Sequence, residues 1–409
     1  MSTPSSAPHR HAIPRTVWAL GFVSLFMDLS SELIHALLPI FLVATMGMSV
    51  TALGALEGAA EATTMIVKVF SGPLSDWLGQ RKLLLLLGYG LAALTKPLFP
   101  LAGVPAVVVA ARLLDRIGKG IRGAPRDALV ADVSPEQIRG ACFGLRQSMD
   151  TVGAVAGPLC AIALMFVFSN DIRTVLWFAV IPAFICVALL VLGVREPDTR
   201  PARDTTPAPF RALLQWRALG AFESRYWIVV VIGAAFSLVR VGEAFLVLRA
   251  KDAGFDLAWV PAVMVVMNIS YTLSAYPAGR LSDKFDRRVP FAIGLALLIA
   301  ADLLLGFQAS ALAVFCGVVL WGLHMGFTQG VLATMVADAA PPALRGTAFG
   351  IFNLVSGVAM LASGVLAGWL WDRFGAPVTF LASAAAAIVP LAICRFAPPS
   401  ARATASNRL

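Results

Sequence analysis

Segments long and apolar enough to cross a lipid bilayer follow one another along nearly the whole chain. A helix that crosses the hydrocarbon core needs about 20 mainly apolar residues, because it rises about 1.5 Å per residue through a layer about 30 Å thick. Twelve segments meet this requirement: 17–45, 50–74, 83–101, 105–132, 141–168, 174–194, 226–250, 257–280, 289–308, 310–337, 346–371 and 376–396. Charged residues make up only 13% of the chain, against about 25% in soluble domains. We therefore predict an all-α membrane protein with 12 transmembrane helices.

Basic residues are distributed unevenly between the two sides of these predicted spans. The side that holds the N-terminus carries about 18 Lys and Arg, including six arginines within 195–225, and the other side carries about five. Those five are Lys96, Arg173, Arg249, Lys251 and Arg373. The positive-inside rule then predicts that both termini are cytoplasmic and that the protein is multi-pass in a cell inner membrane. The rule also accounts for the net charge of +9, so we predict no nucleic-acid partner.

A Pro-rich, charged stretch and an internal repeat divide the chain into two halves. We predict a cytoplasmic linker at 195–225, six-helix bundles at 17–194 and 226–396, and cytoplasmic tails at 1–16 and 397–409. The repeat is visible as Val130, Ala131, Asp132, Pro135, Arg139, Gly140, Phe143 and Gly144 matched by Val336, Ala337, Asp338, Pro341, Arg345, Gly346, Phe349 and Gly350. Gly72, Leu74, Ser75 and Asp76 likewise match Gly279, Leu281, Ser282 and Asp283. Duplicated halves are typical of transporters, whose substrate site lies between the halves near the midplane of the membrane.

The fourth predicted span carries a charged stripe on an otherwise apolar helix. Its charged residues are Arg112, Asp115, Arg116, Lys119, Arg122 and Arg126. At about 100° per residue, all six lie within about 80° of one another. A charge near the bilayer centre costs about 2.5 kcal/mol or more, so five cations on a lipid-facing surface are excluded. We expect them to face a wet cavity, an anion or the carboxylates of other helices.

Carboxylates that could pair with this stripe lie in the first two predicted spans. Asp28, Glu32 and His35 share one face of span one, and Glu61 lies in span two. Asp28 and Glu32 are at about the same depth as Arg116 and Lys119, and pairing would reduce the cost of burying these charges. Three interpretations stay open: the carboxylates carry protons, the basic residues bind an anionic substrate, or the network only fixes helix packing.

The loop after span two supplies a recognisable motif. GPLSDWLGQRK, residues 72–82, resembles the signature loop of the major facilitator superfamily through Gly72, Leu74, Asp76, Gly79 and Arg81, and departs from it at Trp77 and Gln80. Arg112 followed by Gly118 and Gly120 resembles the span-four motif of that family. Gly153, Gly157 and Pro158 in span five resemble a motif that is frequent in its antiporters.

The resemblance implies a secondary transporter that works by alternating access, with two bundles rocking about a central cavity. The resemblance and the polar positions together predict three groups of residues. For proton coupling they are Asp28, Glu32, Glu61 and His35. For substrate binding they are Arg112, Arg116, Lys119, Arg122, Arg240, Glu243, Asn268, Tyr271, His324, Gln329 and Asn353. For gating they are Gly72, Asp76, Gly79, Arg81, Arg146, Asp150, Gly153, Gly157, Pro158, Asp283 and Arg287.

We predict a proton-coupled exporter or antiporter of a small organic solute that carries an anionic group, such as a drug or a siderophore-like metal chelate. A metabolite symporter or uniporter of the same fold is the alternative. An enzyme is disfavoured because the sequence has no nucleophile motif or metal-ligand cluster, and a receptor because it has no long extramembrane segment besides the linker. We expect neither a cofactor nor a metal. The expected partners are lipid, the substrate and protons, and we expect the protein to function as a monomer.

Overall fold

Helices form nearly all of the described structure, and no strand occurs in it. The computed structural model describes residues 12–196, 220, 222–341 and 344–396, except the side chains of Asp76, Glu136 and Phe396. The helices are α1 (Arg15–Ile40), α2 (Val50–Leu78), α3 (Arg81–Thr95), α4 (Leu98–Leu101), α5 (Pro105–Val133), α6 (Arg139–Val167), α7 (Ile172–Trp177), α8 (Val180–Gly193), α9 (Ser224–Val239), α10 (Glu243–Asp252), α11 (Ala262–Lys284), α12 (Arg288–Phe307), α13 (Ala311–Ala339), α14 (Arg345–Ala386) and α15 (Ile388–Phe396). Most of the predicted linker and tails lie outside the described residues.

These helices fit the twelve predicted spans. Nine helical runs within the described residues are long and apolar enough to cross a membrane. Two further helices, α2 and α5, are 29 residues long each but carry several charges. The run 345–395 counts as one of the nine, yet Gly375 breaks it with φ 83° and ψ 175°, a conformation that favours glycine. Three predicted spans are each built from two consecutive helices: α3 with α4, α7 with α8, and α9 with α10.

The two ends of the molecule are named here by the course of the chain. The inner end is where α1, α3 and α6 begin, and it is the end predicted to face the cytoplasm; the outer end is where α2 and α5 begin. Within the first half α1 packs on α6 and α8, and α5 packs on α2 and α3. Within the second half α13 packs on α11 and α12, and α14 packs on α9 and α12. Contacts of α2 with α14, of α6 with α11 and of α1 with α10 join the halves.

Glycines bring α2 and α14 into close contact across the two halves. A Cβ on Gly54 would overlap the carbonyl oxygen of Gly364, and a Cβ on Gly58 would lie 2.7 Å from Cα of Leu361. A Cβ on Gly368 would lie 2.5 Å from Cα of Thr51. Small residues of this kind allow helices in a membrane to approach through their backbones, where van der Waals contact replaces the missing hydrophobic driving force.

An exposed carboxylate adds a polar clasp at the outer end of the same helix pair. Asp372 of the second half accepts hydrogen bonds from the backbone N–H groups of Val50 at 3.0 Å and Thr51 at 2.7 Å, and from Oγ1 of Thr51 at 2.6 Å. These donors belong to the first turn of α2, whose N–H groups have no partner within the helix. The halves are therefore fastened together at the outer end.

We predict that a larger side chain at Gly54 disfavours this closed outer end. Gly54→Val should increase the distance between spin labels at Ala44 and Arg373, two exposed outer positions in different halves, when pulsed electron paramagnetic resonance is measured on a cysteine-free background. Gly90→Val is the matched control, because a Cβ there has no atom within 4 Å. Equal distances in the two variants would contradict the packing argument.

Candidate functional site

Close packing of α5 buries most of the charged stripe inside the first half. A Cβ on Gly118 would lie 2.5 Å from the carbonyl oxygen of Gly88 in α3, and a Cβ on Gly120 would lie 2.6 Å from Cβ of Val67 in α2. With both neighbours this close, four charged residues of α5 are at least 96% buried: Arg112, Asp115, Arg116 and Arg122. Lys119, on the same helix, is exposed.

The carboxylates of α2 compensate two of these buried arginines. Arg112 Nη2 lies 2.8 Å from Glu57 Oε2, and Arg116 Nη1 lies 3.6 Å from Glu61 Oε1. His35 of α1 bridges the same region, with Nδ1 3.5 Å from Glu32 Oε2 and Nε2 3.8 Å from Glu57 Oε2. Arg112 is thus committed to an ion pair between α2 and α5, whereas Glu61 retains 36% side-chain exposure.

Lys96 belongs to this buried network, although its position at the end of the third span predicted an outer-side charge. Its ammonium donates to Asp115 Oδ1 at 2.9 Å and to Ser31 Oγ at 3.0 Å, and the residue is 1% exposed. Lys96 follows α3, so the pair ties the third span to α5 and α1. The sequence signals this residue only as a charge at the end of an apolar run, which predicts the outer surface; the structure corrects that prediction.

A second cluster lies closer to the inner end, around Asp150 of α6. The carboxyl groups of Asp28 and Asp150 are neighbours that interact electrostatically. Arg126 Nη1 and Arg146 Nη1 lie 3.7 Å and 3.8 Å from Asp150 Oδ1. Asp127 also contacts both arginines, at 3.2 Å and 3.9 Å. Two neighbouring carboxyl groups repel each other when both are ionised, so such a pair can keep one proton, as in carboxylate dyads.

The glycine motif of the fifth span places this carboxyl pair. A Cβ on Gly153 would overlap the carbonyl oxygen of Leu25, and a Cβ on Gly157 would lie 2.8 Å from the carbonyl oxygen of Leu29. Gly157 precedes Pro158, which lies inside α6. The motif therefore lets α6 approach α1 closely enough to bring Asp150 to Asp28.

Two basic residues of the stripe are not committed to a carboxylate. Among the described residues, no carboxylate oxygen lies within 4.0 Å of Lys119 or Arg122. Arg122 stacks on the ring of Tyr89, with 4.6 Å between its guanidinium carbon and the ring centroid, and is sealed inside the first half. Lys119 is exposed and within electrostatic range of Asp28, Glu32 and Glu61. Of the basic residues predicted to bind substrate on α5, Lys119 is thus the one with an open charge, meaning a charge that is exposed and has no described carboxylate within 4.0 Å.

The second half contributes a broken span to the same region. Between α9 and α10 the residues 240–242 are not helical. Serines of the last two spans satisfy carbonyl groups at the break: Ser363 Oγ donates to Arg240 at 3.0 Å and Ser383 Oγ donates to Val239 at 2.8 Å. Glu243, which follows the break, lies within electrostatic range of His35, Glu32 and Glu61. Discontinuous helices with non-helical backbone near the midplane are common at transporter substrate sites.

The other predicted substrate residues of the second half occupy different surroundings. Arg240 lies over the ring of Trp321, 5.4 Å from its centroid, and His324 is completely buried beside that ring. Asn268 donates to the carbonyl oxygen of Ala154 in α6 at 3.1 Å, so it joins the two halves. The remaining three positions are Tyr271 and Asn353, which are half-buried, and Gln329, which is exposed.

Two of the predicted gating residues at the inner end, Arg81 and Arg287, form equivalent ion pairs in the two halves. Arg81 Nε lies 2.5 Å from Asp132 Oδ2, and Arg287 Nε lies 3.2 Å from Asp338 Oδ2. Both pairs join residues that are 51 positions apart.

The remaining loop residues predicted for gating have distinct surroundings. Arg287 also contacts Asp283 at 3.1 Å. Gly79 ends α2 with φ 62°, a Cβ on Gly72 would lie 3.5 Å from Cβ of Ala124, and the side chain of Asp76 lies outside the described residues.

We predict that the Lys96–Asp115 pair is required for stability. Lys96→Met leaves a buried carboxylate with only Arg116 at 3.7 Å as partner, and breaking a buried pair from one side costs about 3–5 kcal/mol. Thermal melting of purified protein should show a clear loss for Lys96→Met and partial recovery for Lys96→Met combined with Asp115→Leu. Lys284→Met, at an exposed position, is the control for loss of a charge. A double variant no more stable than the single one would argue against charge compensation.

The packing of two matched helical halves around an interior charged site is that of a membrane transporter. The sequence profile of the Major Facilitator Superfamily matches residues 20–362 and, in a second match, 244–408. The chain therefore belongs to the Major Facilitator Superfamily and is a multi-pass secondary transporter rather than an enzyme. The all-α membrane fold predicted from the sequence is confirmed, and the predicted count of 12 transmembrane helices fits it.

Relatives and solved structures agree with this assignment. An uncharacterized MFS-type transporter of Methanocaldococcus jannaschii is 28% identical over 383 residues, which are 92% of this chain and 93% of that protein. Multidrug resistance protein MdtH of Proteus mirabilis is 25% identical over 83% of this chain and 82% of its own. A crystal structure of the nucleoside transporter NupG superposes with a TM-score of 0.80 at 13% identity, covering 93% of this chain and 99% of that one. At this identity the superposition shows the fold alone.

Proposed function

We propose that the protein is a proton-coupled exporter of a small organic solute with an anionic group, and that it works by alternating access in the cytoplasmic membrane with the inner end toward the cytoplasm. The carboxyl pair of Asp28 and Asp150 carries the proposal. It provides a site that holds one proton next to basic residues, within electrostatic range of the open charge of Lys119. Glu32, Glu61 and His35 are further proton candidates that surround the same space.

Export is supported by two lines of evidence. The first is the glycine–proline motif of α6, which is of the kind frequent in antiporters. The second is that two relatives are named for drug resistance, one matching most of this chain and the other a smaller part of it. Besides MdtH, the puromycin resistance protein of Streptomyces alboniger is 31% identical over 41% of this chain. In this proposal the halves rock about the central cavity, so that the outer clasp at Asp372 and the inner ion pairs at Arg81 and Arg287 alternate in closing it.

The charges around Lys119 favour co-transport of proton and anion as a second candidate. A proton on Asp28 or Asp150 removes a negative charge near Lys119 and so strengthens the attraction of Lys119 for an anionic substrate. Binding of either ligand then favours binding of the other. An antiporter requires that the two ligands occupy the carrier in alternation, so the direction of pH-driven flux distinguishes the two coupling modes.

We predict that Asp28→Asn abolishes pH-driven transport without unfolding the protein. A side-chain amide does not ionise near neutral pH and so cannot bind and release a coupling proton; proteoliposomes with the variant should therefore accumulate no solute under an imposed pH gradient, while exchange of solute across the membrane continues. The solute is chosen beforehand by a thermal-shift screen of organic anions. Asp252→Asn, at the outer end beside Arg249, is the control and should retain coupling. Full pH-driven accumulation by Asp28→Asn, Asp150→Asn and the double variant would refute the proton site.

A further inference from the structure

A second exposed lysine lies beside Lys119 on the side toward the inner end. The side chain of Lys68, from α2, runs across α5 at Gly123, where a Cβ would lie 3.6 Å from Lys68 Cε. Gly123 follows Lys119 by four residues, so the two positions share one face of α5 and lie about one helical turn apart. Lys68 is therefore directed into the interior between α2, α5 and α6 rather than toward lipid.

Neither lysine has an anionic partner. Within the described residues, no carboxylate oxygen lies within 4.0 Å of Lys68 or Lys119, and both side chains are exposed. The charged groups in electrostatic range of Lys68 include the carboxylate of Asp127 and the cations Arg126, Lys119 and Arg146. Asp127 already contacts both of these arginines, so Lys68 lies in a surrounding of like charge.

The charge balance of the first half leaves these two cations uncompensated. Five cations of the network described above are paired with five carboxyl groups. Among the other described charged residues in the interior of that network, the basic residues Lys68, Lys119 and Arg122 and the carboxyl groups of Asp28 and Glu32 remain outside those pairs. In the proposed function Asp28 and Asp150 share one proton, so that only Glu32 contributes a further negative charge and the excess is two positive charges when His35 is neutral. Arg122 is sealed against Tyr89, so the open charges are those of Lys68 and Lys119.

We propose that Lys68 and Lys119 together bind a dianionic substrate, one anionic group at each ammonium. An ammonium is a point charge without the fork geometry of arginine, so carboxylates and phosphates both satisfy it. This inference rests on the proposed function in two respects, the role of Lys119 as the substrate contact and the proton shared by Asp28 and Asp150. It adds Lys68 as a specificity-determining residue and two negative charges as the substrate class.

Neutralisation by a dianion also explains how the inner end can close. Closing the inner end removes water from around both lysines, and charges that lose water without a partner oppose the change. A bound dianion supplies the two missing charges, whereas a monoanion leaves one ammonium uncompensated. The loaded transporter therefore passes through the closed form more readily than the empty one.

Equilibrium binding tests the proposal without requiring transport. The probes are benzoate and phthalate, which share a ring and differ by one carboxylate, titrated calorimetrically into the full chain in nanodiscs of zwitterionic lipid. Phthalate should bind about tenfold more tightly than benzoate, the ratio expected for one added charge interaction of moderate strength. Added salt should weaken phthalate binding more than benzoate binding.

Variants distinguish a specific second contact from general charge attraction. Lys68→Met should bring the phthalate-to-benzoate ratio close to one, and Lys68→Arg should retain the preference. Lys284→Met, which removes an exposed lysine at the inner end of α11, should leave the ratio unchanged. A ratio that persists in Lys68→Met, or no saturable phthalate binding by the unaltered protein, overturns the proposal. Absence of proton coupling in flux assays of the unaltered protein would refute the proposed function, whereas the dependence of the phthalate-to-benzoate ratio on Lys68 is measured at equilibrium and tests this inference separately.

Discussion

The cost of removing charge from water is the constraint on which this structure depends. The first half holds basic residues on a helix that must cross the membrane, and each would cost about 2.5 kcal/mol or more if left without a partner near the bilayer centre. The structure meets this cost by placing carboxylates of α2 opposite arginines of α5, as in the pairs Glu57–Arg112 and Glu61–Arg116. Helix packing and charge compensation in this half therefore depend on each other, because a helix that shifts also breaks its ion pairs.

Glycines make that solution possible by setting the distances between helix axes. Gly118 and Gly120 let α5 approach α3 and α2, and Gly153 and Gly157 let α6 approach α1. A side chain at any of these positions would separate the helices and leave charged groups facing a gap. The same device operates between the halves at Gly54 and Gly364, whose surfaces separate in the proposed alternating-access cycle. Small residues thus serve a permanent contact in one place and a reversible contact in another.

Much of the fold could be predicted from the sequence, because hydrophobic length and loop charge are local properties. The charged stripe of α5 was also visible, since helical periodicity alone places Arg112, Arg116 and Lys119 on one face. Which of these charges would remain open could not be predicted, because burial depends on the glycine contacts with α2 and α3. Lys96 was assigned to the outer surface for the same reason: its partner Asp115 lies on a different helix, and sequence spacing gives no distance between helices.

The pairing of Asp28 with Asp150 shows the same limit from another side. The two residues were assigned separate roles, in coupling and in gating, because they are far apart in sequence. Their meeting depends on the approach of α6 to α1, which the motif at Gly153 and Gly157 permits but does not specify. The break between α9 and α10 was also not predicted, since no glycine–proline pair marks it and its carbonyl groups are satisfied by serines more than 120 residues away in sequence.

The matched ion pairs Arg81–Asp132 and Arg287–Asp338 carry a consequence for how this duplicated chain can evolve. Both copies retain the inner-end pair, yet no ion pair among the described residues joins α11 to α13, the counterparts of α2 and α5. The first copy is therefore constrained at many interior positions, where a mutation strands a charge. At the contact between α11 and α13 of the second copy, a single substitution breaks no ion pair among the described residues. New ligand preferences would therefore accumulate in the second half, while the first half keeps its buried ion pairs.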